Sequence, residues 1–372
     1  MPRVVAVPMN AKELARIAAR LMSCPAAPFH EAGVRAVVES ICAEHGLASR
    51  RDVFGNVIVR LGNAAAGRAL VLAAHMDHPG FEVVRSLGDR EWVARFHGGV
   101  PDRYFRQGIA LRLLPGSTPA KLGERLGQEK EFSVRAGAGV LPHAPRPEFA
   151  VWEMEDFALR NGHLHGRACD DLVGVACLLA VMIELQRDRR RAHVLGVISR
   201  AEEVGFQGAL TVAEAKVLPR NSLVVSLETS KELPPAKMGQ GVILRVGDRT
   251  SIFDSAATRF LGEVAAGLRA KDRTFQLQRA LMFGGTCEGT AYQEYGFQTA
   301  AVCVALGNYH NCHPGGRIAA EYVNLADACG MVELLVEAAR QMPAFARLTG
   351  RLPTRLSDLL RQARRNLRRK SG

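Results

Sequence analysis

The sequence predicts an α/β protein whose sheet is interrupted along the chain by a small inserted β domain. Helical and strand-like patterns alternate at both ends, and a run of short strand-like segments lies between them. Acidic or histidine residues recur where the apolar strand patterns stop, as ligand-binding groups do in open α/β sheets. In order, "AKELARIAARLMSC" and "GVRAVVESICAEHG" have the apolar spacing of helices, while "NVIVRLG" and "RALVLAAHMD" read as strands. From Phe81 to Gly166, "EWVARFH", "GIALRLL", "EFSVRAG" and "FAVWEME" alternate with Gly, Pro and polar turns at the roughly ten-residue spacing of all-β modules. Residues 81–166 are therefore expected to form the inserted β domain. After it "DDLVGVACLLAVMIELQRDRRR" resumes as a helix, "AHVLGVIS" and "SLVVSLE" as strands, and "SAATRFLGEVAAGLRA" as a helix. Residues 1–80 and 167–346 would thus make one discontinuous domain.

Composition excludes several classes. A chain of 372 residues, 48% apolar and 23% charged, has the core of an ordinary globular protein and is neither disordered nor fibrous. Its eight cysteines form no CxxC pair and no signal-peptide pattern precedes them, so a reducing, cytoplasmic setting is expected. No apolar run reaches the ~18 residues of a membrane span, and "LVGVACLLAVMIEL" suits a buried helix. The formal charge of +12 does not mark the whole chain as a nucleic-acid binder. Arg347 to Gly372 holds nine Arg or Lys residues and one acid, a net +8, which leaves +4 for everything before it. In this tail, residues 347–372, Leu356, Leu359, Leu360, Ala363 and Leu367 recur at helical spacing, and Pro353 with Thr354 or Ser357 can open a helix. A basic amphipathic helix is expected, docking on the body or a neighbouring subunit, or else binding an acidic surface or RNA.

The chemistry gathers at strand ends. In "ISRAEEVGFQGAL", Glu202 and Glu203 follow a buried strand; taken alone, such a pair also suits a solvated first helical turn. "LVLAAHMDHPGFEV" ends a strand with His75 and Asp77, two residues apart and able to lie on one side of an extended backbone. An imidazole that binds metal needs its other nitrogen held, and Asp77 is placed to hold it. "GRACDDLVG" offers Asp170 and Asp171 where one acid would suffice as a helix cap. "VVSLETS" ends with Glu228, and "VALGNYHNCHPGG" supplies His310 and His313. Between these two histidines, the strand end favours His310, because His313 precedes Pro314 in a run leading toward solvent. Mixed imidazole and carboxylate groups suit zinc, cobalt or manganese, and a carboxylate-rich set holding two ions favours hydrolysis through a bridging water. One member of the glutamate pair would bind metal while its neighbour acts as general base.

These motifs, in the order "CPAAPFHEAGVRAVV", "DVFGNVIV", "AAHMDHPGFEV", "GVLPH", "GRACDDLVG", "RAEEVGFQGA", "FGGTCEGTAY" and "GNYHN", resemble the co-catalytic dinuclear metallo-exopeptidases. Within that group the chain is most similar to the tetrahedral and glutamyl aminopeptidases, from about Glu13 to Gln341. The resemblance implies a mixed central sheet flanked by helices and a β insert that serves dimerisation, hence a homo-oligomer. It implies two divalent metal ions, Zn2+ first and Co2+ or Mn2+ as alternatives, and a short peptide as substrate. It assigns His75 and Glu203 to the first metal, Asp77 as support, Asp170 as the bridge, and Glu228 with a late histidine to the second. Glu202 becomes the general base, and the peptide joining Asp170 to Asp171 is expected to be cis. The chain departs from the family in having Asp77-His78 for Asp-Glu, Asp171-Leu172 for Asp-Arg, Glu228 for Asp, and "GGTCEG" for "GGTDAG". Cys287 in place of an acid bears on recognition of the substrate's free amine. Two alternatives to an aminopeptidase are a peptidase T or acylase-like amidohydrolase on the same metals, and a non-catalytic, metal-stabilised scaffold binding polyanions through its tail.

Overall fold

The strands Leu70–His75, Val194–Ser199, Leu223–Lys231 and Gln298–Gly307 are buried along nearly their whole length, as strands covered on both faces must be. They run parallel to one another and form the centre of an eleven-stranded mixed sheet. The computed structural model that shows this describes residues 10–63, 67–127, 129–137, 146–188, 192–350 and 354–370. Antiparallel strands extend the sheet on both sides: Val57–Leu61 and Ala48–Arg51 beyond Val194–Ser199, and Glu321–Asn324, His163–Gly166 and Ala158–Arg160 beyond Gln298–Gly307. Val242–Gly247 also pairs with Gln298–Gly307 and carries Leu277–Leu281 at its side. Because the four central strands are parallel, their C-terminal ends open on one edge, the place where ligands bind in such sheets.

Helices cover the sheet. Leu172–Asp188 is apolar on every side and lies in the largest core cluster, with Ala11–Met22 and Leu325–Gln341 packed against it. Ala11–Met22 instead keeps one apolar stripe of Leu14, Ile17, Ala18, Leu21 and Met22, and Asn10 caps it by accepting from the Glu13 amide. The helices expected over 33–46 and 255–270 are present as Ala32–Glu44 and Ser255–Lys271. All eight cysteines are free thiols. Among the described residues no helix is long and apolar enough to cross a membrane.

Six antiparallel strands between Gly80 and Trp152 close into a barrel. Its interior is aromatic, with Phe81, Phe96, Phe105, Phe132 and Trp152 in mutual edge and stacked contacts. The expected boundary of the insert at Gly166 is corrected: Ala158–Arg160 and His163–Gly166 pair with each other and with Glu321–Asn324, so they belong to the large sheet. Regular turn spacing marks short strands but does not say which sheet receives them. The "GVLPH" motif and Pro353 lie outside the described residues. The tail contains the helix Thr354–Lys370.

Candidate active site

The strand ends meet. Leu70–His75 delivers His75, and the next turn returns Asp77 beneath it, so that His75 Nδ1 lies 3.1 Å from the Asp77 carbonyl and 3.5 Å from its carboxylate. The Asp77 carboxylate also accepts the amides of Glu202 (2.9 Å) and Glu203 (3.1 Å), fixing the turn that presents both glutamates. That turn leaves Val194–Ser199 through Ala201 at φ 50°, a left-handed conformation uncommon for a residue with a side chain. Glu31, fully buried, holds it by accepting from the Ala201 amide and Arg200 Nε. Glu228 projects from Leu223–Lys231, the neighbour of Leu70–His75, and His310, itself at φ 53°, follows the end of Gln298–Gly307.

Asp170 sits between the two histidines. Its Oδ1 is 3.6 Å from His75 Nε2 and its Oδ2 is 3.5 Å from His310 Nε2. His310 Nε2 is also 3.2 Å from Glu203 Oε1, while its Nδ1 faces the Gly99 carbonyl of the barrel at 3.2 Å. Among the described residues three ligand-like sets result, one of His75, Glu202 and Glu228, one of Asp170, Glu203 and His310, and one of Asp170, Asp171 and Glu228, the candidate atoms of each within 4.8 Å of one another. This corrects the pairing implied by the resemblance, which put Glu203 with His75 and Glu228 with the late histidine. His75 and Glu228 come from neighbouring parallel strands, and Glu203 leans toward His310; chain order does not reveal which strands are neighbours. The peptide joining Asp170 and Asp171 is cis. His313 is half-buried outside this group, its Nδ1 accepting from the Gly315 amide and its carbonyl from Tyr104 Oη.

The site concentrates charge away from water. Burial opposes ionisation of Asp170, but hydrogen bonds and attraction from His310 and His75 outweigh it and hold its pKa below the usual carboxylate range. Burial likewise opposes charge on His75, yet Glu202, Asp170 and Asp77 raise its pKa well above the ordinary value; Glu203 and Asp170 do the same for His310. Glu202 is pushed well up by burial and by Glu228 and Glu203. Burial, with Asp170 and Glu288 nearby, lifts Glu228 to about 8. Asp170 Oδ1 and both carboxylate oxygens of Asp171 are buried without a hydrogen-bond partner. Such groups are costly unless a cation compensates them, and the donor set of imidazoles and carboxylates fits divalent metal ions.

Several positioning groups have no signature in the sequence. Glu321, fully buried at the start of its strand, accepts the amides of Cys169 (2.8 Å) and Asp170 (3.0 Å) and so aims the Asp170 loop. His78 bonds to the Asp170 carbonyl and to Asn311, tying the aspartate loop to the histidine turn. Glu288, beside the anticipated Cys287, accepts from Ser199 Oγ at 2.6 Å beneath the site. Cys287 is buried and lines the cavity, its amide bonded to Asp248. The cavity, of about 370 Å3, is lined by the carboxylate cluster together with Lys231, Arg245, Arg249, Tyr309 and Phe206.

The fold has counterparts among solved structures. An aminopeptidase from the archaeon Desulfurococcus kamchatkensis is 20% identical, with a TM-score of 0.74 over 92% of this chain and 99% of its own. A TET aminopeptidase from a Thaumarchaeota archaeon of marine sediment is 19% identical, with a TM-score of 0.73 over 92% of this chain and all of its own. The TET1 peptidase of Pyrococcus horikoshii, which assembles into a tetrahedron or a large octahedral shell, is 20% identical, with a TM-score of 0.71 over 88% and 99%. These likenesses fix the fold as a mixed sheet flanked by helices. Residues 146–325, which contain Asp170, Glu202, Glu203, Glu228 and His310, match the model of the M42 glutamyl aminopeptidase family.

Proposed function

We propose that the protein is a dimetal aminopeptidase of the M42 type that releases N-terminal residues from short peptides. The observation that carries the reading is Asp170 set between His75 and His310, with Glu202 beside it on a turn anchored by Asp77. His75 with Glu228 and His310 with Glu203 would each hold one divalent ion, Asp170 would be shared, and zinc, cobalt or manganese all suit the donors. Divalent ions held by these residues would polarise the scissile carbonyl and acidify water. Glu202, raised in proton affinity by its surroundings, takes the water's proton and passes it to the departing amine. Asp77 and the Gly99 carbonyl keep the outer nitrogens of His75 and His310 occupied, so each ring presents Nε2 to the site. A panel of dipeptides with free and acetylated amino termini, assayed with metal analysis, tests the assignment: an aminopeptidase requires the free amine. Cleavage of acetylated substrates alone would mark an acylase, and no hydrolysis at full metal loading would mark a scaffold. Lys231, Arg245 and Arg249 on the cavity wall favour acidic side chains within that panel.

His310, and not His313, would hold the second metal. His310→Ala is expected to lose one metal and nearly all activity, whereas His313→Ala keeps both metals; mass spectrometry of the purified variants decides, and the reverse pattern moves the ligand to His313.

Metal loading is expected to release protons. In the metal-free protein His75 and His310 are raised above their ordinary pKa and Glu228 to about 8, so at neutral pH these groups hold protons that ligation must displace. Affinity should therefore rise between about pH 6 and 8. Calorimetric titration of the metal-free protein in two buffers of different ionisation enthalpy checks this, and net proton uptake would contradict it.

The dodecameric, tetrahedral and octahedral assemblies of the similar archaeal enzymes, together with the closed barrel, support a homo-oligomer built through residues 80–152. Light scattering of the intact protein measures it.

A further inference from the structure

We propose that the C-terminal helix Thr354–Lys370 seats the enzyme on anionic lipid surfaces. Leu356, Leu359 and Leu360 lie on one face of the helix and are 49%, 48% and 43% exposed; Leu367 continues the same stripe. A single exposed leucine needs no explanation, but a stripe of them on one short helix does. The rest of the helix surface is basic: Arg361, Arg364, Arg365 and Arg368 are exposed, and Asp358, its one acid, is paired with Arg361 one turn on. A narrow leucine face beside an arginine face, with low overall hydrophobicity, is the pattern of helices that lie in a membrane interface.

Other occupants fit less well. The remainder of the chain carries a net +4, so a second copy offers this helix no opposite overall charge. RNA would satisfy the arginines but has no apolar surface for the leucines. An anionic bilayer satisfies both, because headgroups attract the arginines while the acyl boundary accepts the leucines. The solved structures account for 98% to 100% of their own length while covering only 87% to 92% of this chain, so the chain has segments beyond the shared peptidase fold.

The test is co-sedimentation of the full-length protein with vesicles of phosphatidylcholine alone or with phosphatidylglycerol added. Binding is expected to be at least about tenfold stronger on the anionic vesicles and to weaken with salt. The triple variant Leu356→Ser, Leu359→Ser, Leu360→Ser should lose about tenfold of that binding, with peptidase activity and oligomer mass unchanged. Equal binding to both vesicle types, or none, would overturn the proposal. So would full vesicle binding by the triple variant, which would leave a simple polycation. Tighter retention on single-stranded RNA than on vesicles, insensitive to the leucines, would assign the helix to nucleic acid instead; a change in oligomer mass in the variant would assign it to a subunit contact.

Discussion

Glu202→Gln is expected to lower turnover by about 10²- to 10⁴-fold while leaving metal content near that of the wild type. The amide preserves volume and one oxygen, so the local packing is kept, but it cannot accept a proton at neutral pH. The prediction separates two roles that geometry leaves adjacent. Glu202 Oε2 is 4.0 Å from His75 Nε2, and Glu202 belongs with His75 and Glu228 to one ligand-like set, so it has the reach of a ligand as well as a base. Its neighbour Glu203 is 3.2 Å from His310 Nε2, a closer engagement that leaves Glu202 the freer carboxylate. A ligand role would show as loss of metal together with activity. Activity within a few-fold of wild type would remove Glu202 from the mechanism.

The site was legible in the sequence to the extent that it is built from strand ends. His75, Glu228 and the glutamate pair each follow a run of branched apolar residues, and parallel strands must end on one edge, so acids and imidazoles at those ends are drawn together. What the chain order hid is adjacency. Nothing in the sequence says that Leu70–His75 lies between Val194–Ser199 and Leu223–Lys231, and the pairing of Glu228 with His75 depends on that. Glu321 was invisible for a different reason: it is a lone acid whose targets, the amides of Cys169 and Asp170, lie some 150 residues earlier. The Gly99 carbonyl that faces His310 is a backbone group and leaves no residue-type signal at all. The barrel strands Gly80–Gly88 and Thr118–Arg125 lack a clear individual signal because their outer ends are exposed and mix apolar with charged residues, Val84 and Leu87 beside Arg85 in the first and Lys121, Glu124 and Arg125 in the second, which weakens the apolar alternation that marks a strand.

Asp170→Asn is expected to empty the site of metal and abolish activity while the protein stays folded. Among the described residues Asp170 is the one carboxylate that faces both histidines, with a separate oxygen toward each. Asparagine keeps the shape but replaces one of those oxygens with an amide nitrogen that cannot coordinate, and it removes the negative charge that two cations would share. Losing a group that merely orients a ligand costs about 10- to 100-fold in affinity or activity, so loss of a ligand common to both metals should cost more than that. The loop itself should survive, because it is held from behind by Glu321 on the amides of Cys169 and Asp170 and by His78 on the Asp170 carbonyl, none of which uses the Asp170 side chain. Circular dichroism should therefore match the wild type. Added Zn2+ should raise the melting temperature of the metal-free wild type, as a ligand that binds only the native state must, and leave the variant's unchanged. A variant that retained both metals, or that melted higher with zinc as the wild type does, would move the bridge to another carboxylate, with Asp171 and Glu228 the nearest candidates in the same cluster.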